Sequence, residues 1–144
     1  NYYTHKGAFI DYKKASKDVQ DAIDDYDVLM ADPKAPVRLM SGGNMQKLLL
    51  SREIALDPKV LVLSYPVRGL DIGATEKIYS IMLEQRKKGC AVLFISEDLD
   101  ALIKFSDRIM VLHGGKVTGI INREDAEVEK LGLMMGGGRA EEIS

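Results

Sequence analysis

From residue 11 onward the apolar positions recur every three or four residues. Ala15, Val19, Ala22, Ile23 and Tyr26 share one face, while Lys13, Lys14, Lys17, Asp18, Asp21 and Asp25 share the other. This spacing predicts an amphipathic helix capped by Asp11, with a solvated charged face. Residues 1–10 are polar and aromatic without a clear period. Residues 30–37, MADPKAPV, contain two prolines and read as a linker. A second helix is expected to open at Ser41-Gly42-Gly43 and to run to about Leu56, where Asp57-Pro58 stops it. Met45, Leu48, Leu49, Leu50, Ile54, Ala55 and Leu56 make its apolar arc wide, so it is expected to be mostly buried.

The rhythm then changes. Val60 to Leu63 is a short strand, apolar on both faces, and residues 91–95, AVLFI, are another. Between them a helix is predicted from about Ala74 to Lys88, with Ile78, Ile81, Met82 and Gln85 in register and Gly89 at its end. A short helix is expected over 99–105, a hairpin around His113-Gly114-Gly115-Lys116, and a last helix near 125–131. The Gly136-Gly137-Gly138 stretch reads as a loose tail. Strand, helix, strand, helix, strand implies βαβ units, and doubly apolar strands imply a parallel sheet covered on both faces. The fold class is therefore α/β. A helical subdomain occupies 1–56, an α/β core 57–138, and a flexible tail 139–144.

Charge narrows the function classes. The 144 residues carry a formal net charge of -2, which gives no electrostatic surface for nucleic acid. No apolar run is long enough to span a bilayer, and no signal peptide opens the chain. Cys90 is the single cysteine, which excludes an internal disulfide and fits a reducing compartment. It reads as a small buried side chain. His5 and His113 have no partners at metal-ligand spacing.

Three loops hold the chemistry that the pattern leaves open. Ser41-Gly42-Gly43-Asn44 stands at a helix start, where unpaired N–H groups and the helix dipole favour an anion, and small residues let a phosphate approach. An ordinary N-cap with flexible glycines accounts for the same residues equally well. No G-x-x-x-x-G-K-[ST] loop occurs. Asp71, in Arg68-Gly69-Leu70-Asp71, follows the first strand, where α/β ligands collect, and it also suits the N-cap of the next helix. Glu97 follows the second strand at the same sheet edge and could act as a general base, whereas Asp98 is more simply a helix cap.

Taken in order, MSGGNMQK, VLVLSYPVRGLDIGA and VLFISEDLDAL resemble the signature, Walker B, D-loop and switch segments of ATP-binding cassette (ABC) transporter ATPases. The resemblance runs from about Gly7 to Gly137. It implies the C-terminal part of a P-loop NTPase sheet. Asn44, the Arg-Gly-Leu-Asp D-loop and Ser-Glu-Asp-Leu-Asp resemble the second cassette of importers for simple sugars and nucleosides. GAFIDYKKA and GLMMGG look most like the nucleoside branch, whose periplasmic partner is a lipoprotein.

Departures from the family pattern matter as much. Ser64 stands where the family has a metal-linked Asp, Tyr65 where it has the catalytic Glu, and Glu97 where it has the switch His. Neither an aliphatic hydroxyl nor a phenol is a strong base or an anion near neutral pH. The resemblance therefore implies one degenerate site, lined by Ser64, Tyr65 and Glu97. It also implies a complementary role for Ser41, Gly42, Gly43 and Asn44, which would contact ATP in trans, with Asp71 in the D-loop.

The Walker A loop and its strand would precede Asn1, and their sheet position would be empty or refilled. Implied cofactors are ATP and Mg in the assembled transporter, with the chain alone expected to be inactive. Implied partners are the first cassette of the same polypeptide, transmembrane permease subunits and, indirectly, a solute-binding protein. The implied location is the cytoplasmic face of the membrane. The rivals are a non-transport ABC ATPase and a nucleotide-independent interaction or regulatory module.

Overall fold

The computed structural model describes residues 4–5, 9–30 and 32–138. The chain divides into two compact units, Asn1–Phe94 and Ile95–Ser144. The boundary at 56/57 read from the sequence falls inside the first unit.

A short antiparallel pair, β1 (Thr4–His5) and β2 (Phe9–Ile10), opens the first unit. No periodicity announced it, because two-residue strands are too short to show one. Helix α1 spans Tyr12–Tyr26, and Asp11 caps it by accepting from the Lys14 N–H at 3.0 Å. Its last turn ends at Asp27 in the left-handed region, φ +51°. A single 3₁₀ turn over Val37–Leu39 follows the proline-rich segment.

Helix α2 spans Gly42–Ile54. The expectation that it is mostly buried is wrong. Met45 and Leu49 stand 41% and 45% exposed, while Lys47 and Ser51 are buried with Leu50 and Ile54. Lys47 is buried because it has an acceptor: its ammonium donates to the Asp27 carbonyl, at the negative end of the α1 dipole. Ser51 donates to the Leu48 carbonyl at 2.8 Å.

Strand β3 (Val60–Ser64) leads into helix α3 (Ile72–Lys87) and then strand β4 (Ala91–Ile95), which pairs with β3. The Ala91 N–H donates to the Lys59 carbonyl at 2.9 Å, joining the starts of the two strands, so the pair is parallel. Ile78, Tyr79, Ile81, Met82 and Gln85 of α3 are buried, as are Ala22, Val28, Leu50, Ile54, Leu61 and Cys90. The Tyr79 and Phe94 rings meet edge to face at 6.3 Å. Helix α3 ends in a Schellman motif: Gly89, φ +89°, donates to the Arg86 carbonyl and Cys90 to that of Gln85.

Sheet coverage departs from expectation. Val60, Val62 and Leu93 are 61%, 60% and 50% exposed. Among the described residues the β3–β4 pair is packed on one face, so the second apolar face of each strand is open.

The second unit is built on an antiparallel hairpin, β5 (Arg108–His113) and β6 (Lys116–Asn122). Gly114 and Gly115 both have positive φ, as a two-residue turn matched to strand twist requires. Helix α4 spans Leu99–Phe105 under an Asp98 cap, and α5 spans Val128–Met135, later than the sequence placed it, after a 3₁₀ turn over Arg123–Asp125. Ile109, Val111, Ile121, Leu131 and Met134 form the core, with Leu99, Leu102, Ile103 and Ala126 around it.

The glycine stretch 136–138 is not loose. Gly137 and Gly138 donate to the Met134 and Leu133 carbonyls, closing α5 in a second Schellman motif. Residues 139–144, read as a tail, lie outside the described residues, as does the side chain of His5. Among the described residues no helix is long and apolar enough to cross a membrane.

Candidate functional site

The N-terminus of α2 gathers Ser41, Gly42, Gly43 and Asn44. Ser41 is its N-cap, with extended backbone, and its hydroxyl oxygen accepts from the Asn44 N–H at 3.4 Å and from Asn44 Nδ2 at 3.0 Å. The other end of that amide is also engaged: the Leu29 N–H donates to Asn44 Oδ1 at 2.8 Å. Asn44 therefore ties the chain just after α1 to the start of α2. Gly42 and Gly43 are the first two helical residues, so their N–H groups have no intrahelical acceptor. Ser41 and Gly42 are exposed, and the helix dipole adds partial positive charge at this end. The arrangement suits an oxyanion: backbone donors, one hydroxyl, and no side chains on the first two helical residues.

Both glycines also face the loop that leads into α3. A Cβ on Gly43 would come within 2.8 Å of the Ala74 Cβ, and one on Gly42 within 3.7 Å of Leu70 Cδ2. Asp71 caps α3, its carboxylate accepting from the Ala74 N–H at 2.9 Å. The fold thus brings Gly42 and Gly43 beside Leu70 and Ala74. Two helix N-termini meet there, and at position 43 only glycine allows the approach.

Asp27 joins the three helices beneath this region. Its carbonyl takes the Lys47 ammonium of α2, and its carboxylate pairs with Lys77 of α3 at 2.5 Å. The Lys77 hydrogen bond and charge hold the Asp27 carboxyl below the usual aspartate range. Next to it, partial burial pushes the Tyr26 hydroxyl up, with Asp25 and Glu84 adding to the effect.

At the C-terminal end of β3 stand Ser64 and Tyr65, neither of them an acid. Ser64 is exposed, and Tyr65 adopts φ +50° and is 42% exposed. A bulky residue in that region carries strain of about 1–3 kcal/mol. The turn is held by the Arg68 N–H on the Tyr65 carbonyl at 3.2 Å, with buried Pro66 in the second position. The Arg68 guanidinium lies 5.7 Å from the Tyr65 ring centroid, within cation–π range. The loop closes through the Leu70 N–H on the Val67 carbonyl, with Gly69 at φ +75°.

Glu97 belongs to the second unit, exposed in the turn after β4, where the Asp98 N–H donates to Ser96 Oγ at 3.0 Å. The first unit therefore gathers Ser41, Gly42, Gly43, Asn44 and Asp71 in one region, and Glu97 is described apart from them. Sequence reasoning missed Leu29, Leu70 and Ala74 as neighbours of Asn44, Gly42 and Gly43, and the Asp27 carbonyl as the partner of Lys47. Only the small size of Gly43 and Ala74 hinted at a close helix approach.

No family model matches the chain. It is 39% identical, over 95% of its length, to the nucleoside import ATP-binding protein NupA of Lactococcus lactis subsp. cremoris. It is 50% identical, over 69% of its length, to a glucose import ATP-binding protein of Haloferax volcanii. The chain spans 27% and 18% of those two proteins. Among solved structures, a dimeric bacterial ABC transporter cassette superposes with a TM-score of 0.68 at 21% identity, over 83% of this chain and 51% of that one.

Proposed function

The chain belongs to the ABC ATP-binding proteins, and from that premise we propose that it is the signature-bearing part of the second cassette of an importer for simple sugars or nucleosides. The observation that carries the reading is the side-chain-free start of α2, where Gly42 and Gly43 offer backbone N–H groups beside the Ser41 hydroxyl. In the proposed assembly two cassettes pair head to tail. Ser41, Gly42, Gly43 and the α2 dipole face the terminal phosphate of ATP held by the first cassette, and Asp71 belongs to the loop beside it. Hydrolysis of that ATP, a phosphoryl transfer to water, is the reaction the complex performs. This chain's share is electrostatic: fixed donors aimed where charge develops.

Asn44 has a different part from the one its motif suggests. Its amide is occupied by Leu29 and Ser41, so in this reading it supports the site without touching phosphate.

The second site is proposed to be weak. Ser64 and Tyr65 offer neither a carboxylate for a metal nor a base for water, and the strained Tyr65 is packed by Arg68. The reading gives this chain no metal ligand, because Ser64 stands where it would place the metal-linked Asp. Magnesium would accompany ATP on the opposite cassette. The open apolar face of β3 and β4 is where the remainder of a cassette would pack, residues 1–56 acting as its helical subdomain and 57–138 as part of its core. The partners are the first cassette of the same polypeptide, permease subunits and, through them, a solute-binding protein. The location is the cytoplasmic face of the membrane.

The test compares two single substitutions in the assembled transporter. Gly42→Asp puts a carboxylate against the phosphate and should lower ATP hydrolysis about a hundredfold, the scale for loss of an oriented donor. Tyr65→Phe keeps the ring over Arg68 and should change the rate little. Equal damage from the two, with both proteins folded and assembled, would refute this division of labour.

A further inference from the structure

We propose that Asn44 is a positioning residue that fixes the Ser41 hydroxyl as a hydrogen-bond donor toward the open side of the α2 N-terminus. The inference rests on the ATP-site reading and names how one of its donors is set. Leu29 N–H is a donor only, so its 2.8 Å bond to the Asn44 side chain identifies the amide oxygen. The NH₂ end must then be the group 3.0 Å from Ser41 Oγ, and it must donate. The Asn44 backbone N–H also donates to Ser41 Oγ, at 3.4 Å. A serine hydroxyl has two lone pairs and one proton. Both lone pairs are claimed by Asn44, so the proton is directed away from it, free to meet an oxyanion in front of Gly42 and Gly43.

The order of the chain follows from this. The backbone after α1 sets the Asn44 amide, the amide sets the serine, and the serine presents its proton. A serine without that amide could turn its proton inward and offer a lone pair to the phosphate, which is repulsive. The device is electrostatic preorganisation by a neighbour that never touches the ligand.

Asn44→Asp separates this role from mere packing. The carboxylate still accepts from the Leu29 N–H and, in the first turn of a helix, favours the fold. It cannot donate to Ser41 Oγ, and it accepts the serine proton instead. In the assembled importer, kcat and KM for Mg-ATP are measured for the wild type, Ser41→Ala, Asn44→Asp and the double variant. Ser41→Ala and Asn44→Asp should each lower kcat roughly ten- to a hundredfold with a smaller change in KM. In the Ser41→Ala background, Asn44→Asp should cost less than about threefold, because the two act through one group.

An equal loss in both backgrounds overturns the proposal, since a carboxylate repelling phosphate directly would act without Ser41. Wild-type kcat in Asn44→Asp also overturns it, while a defective Ser41→Ala leaves the ATP-site reading standing. Wild-type kcat in both Ser41→Ala and Gly42→Asp removes that reading and this inference together. If Asn44→Asp does not assemble, Asn44→Ala reads the same coupling, and a loss that persists in the Ser41→Ala background overturns the proposal.

Discussion

Gly43 of α2 and Ala74 of α3 approach so closely that a Cβ on the glycine would sit 2.8 Å from the alanine methyl. Real Cβ atoms do not pack at that distance, and both belong to helix backbones that cannot swing aside. The first turns of α2 and α3 are therefore one mechanical unit, with Gly43 the packing glycine.

Gly43→Ala should destabilise the chain by about 1–3 kcal/mol, the usual cost of overpacking a tight contact. Ala74→Gly in the same chain should recover part of the loss by removing the opposing methyl. Urea unfolding of the two single variants and the double reads the coupling. Strict additivity would mean that the two residues do not meet as described.

Asp27 should titrate below the ordinary aspartate range of about 4, because Lys77 donates to it and holds a positive charge beside it. The folded value is lowered, so the pair's contribution to stability is complete above the ordinary range. It is lost as pH falls through the lowered value. Carboxyl carbon NMR should follow that titration, and Lys77→Ala should move it upward. An unchanged Asp27 titration in that variant would exclude Lys77 as the cause.

Gly137 combines φ +102° with a His113 ring 3.3 Å from its would-be Cβ, while His113 Nδ1 bonds the Met135 carbonyl at 2.7 Å. Gly137→Ala should cost more than about 1 kcal/mol, beyond what entropy alone returns. Amide exchange in α5 should rise near its C-terminus. Protection equal to wild type would show that the turn tolerates a side chain.

Restoring two acids at the end of β3, Ser64→Asp with Tyr65→Glu, should raise transport little in the assembled importer. In the proposed reading Glu97 and the opposite site still limit the cycle. Hydrolysis rates and uptake measured together decide this. A several-fold gain in hydrolysis would make the missing acids the sole defect of that site.

Local order was legible in the sequence because it is set by neighbours along the chain. Asp11, Ser41, Asp71 and Asp98 cap the helices that follow them, Gly89 ends α3, and Gly114-Gly115 turns the hairpin. Each rests on a backbone requirement spanning a few residues. The same holds for the register of Ile78, Ile81, Met82 and Gln85, which follows from helical period. What only the tertiary structure decided involves partners far apart in the chain. Lys47 is buried because an Asp27 carbonyl waits for its ammonium, twenty residues away. The Asn44 amide is turned by Leu29, and Gly43 is confined by Ala74. Val60 and Val62 are as apolar as Leu61, yet they are exposed because a strand pattern records which residues can be buried and not whether anything covers them. Periodicity is a property of one element, whereas burial and donor direction belong to the contact between two.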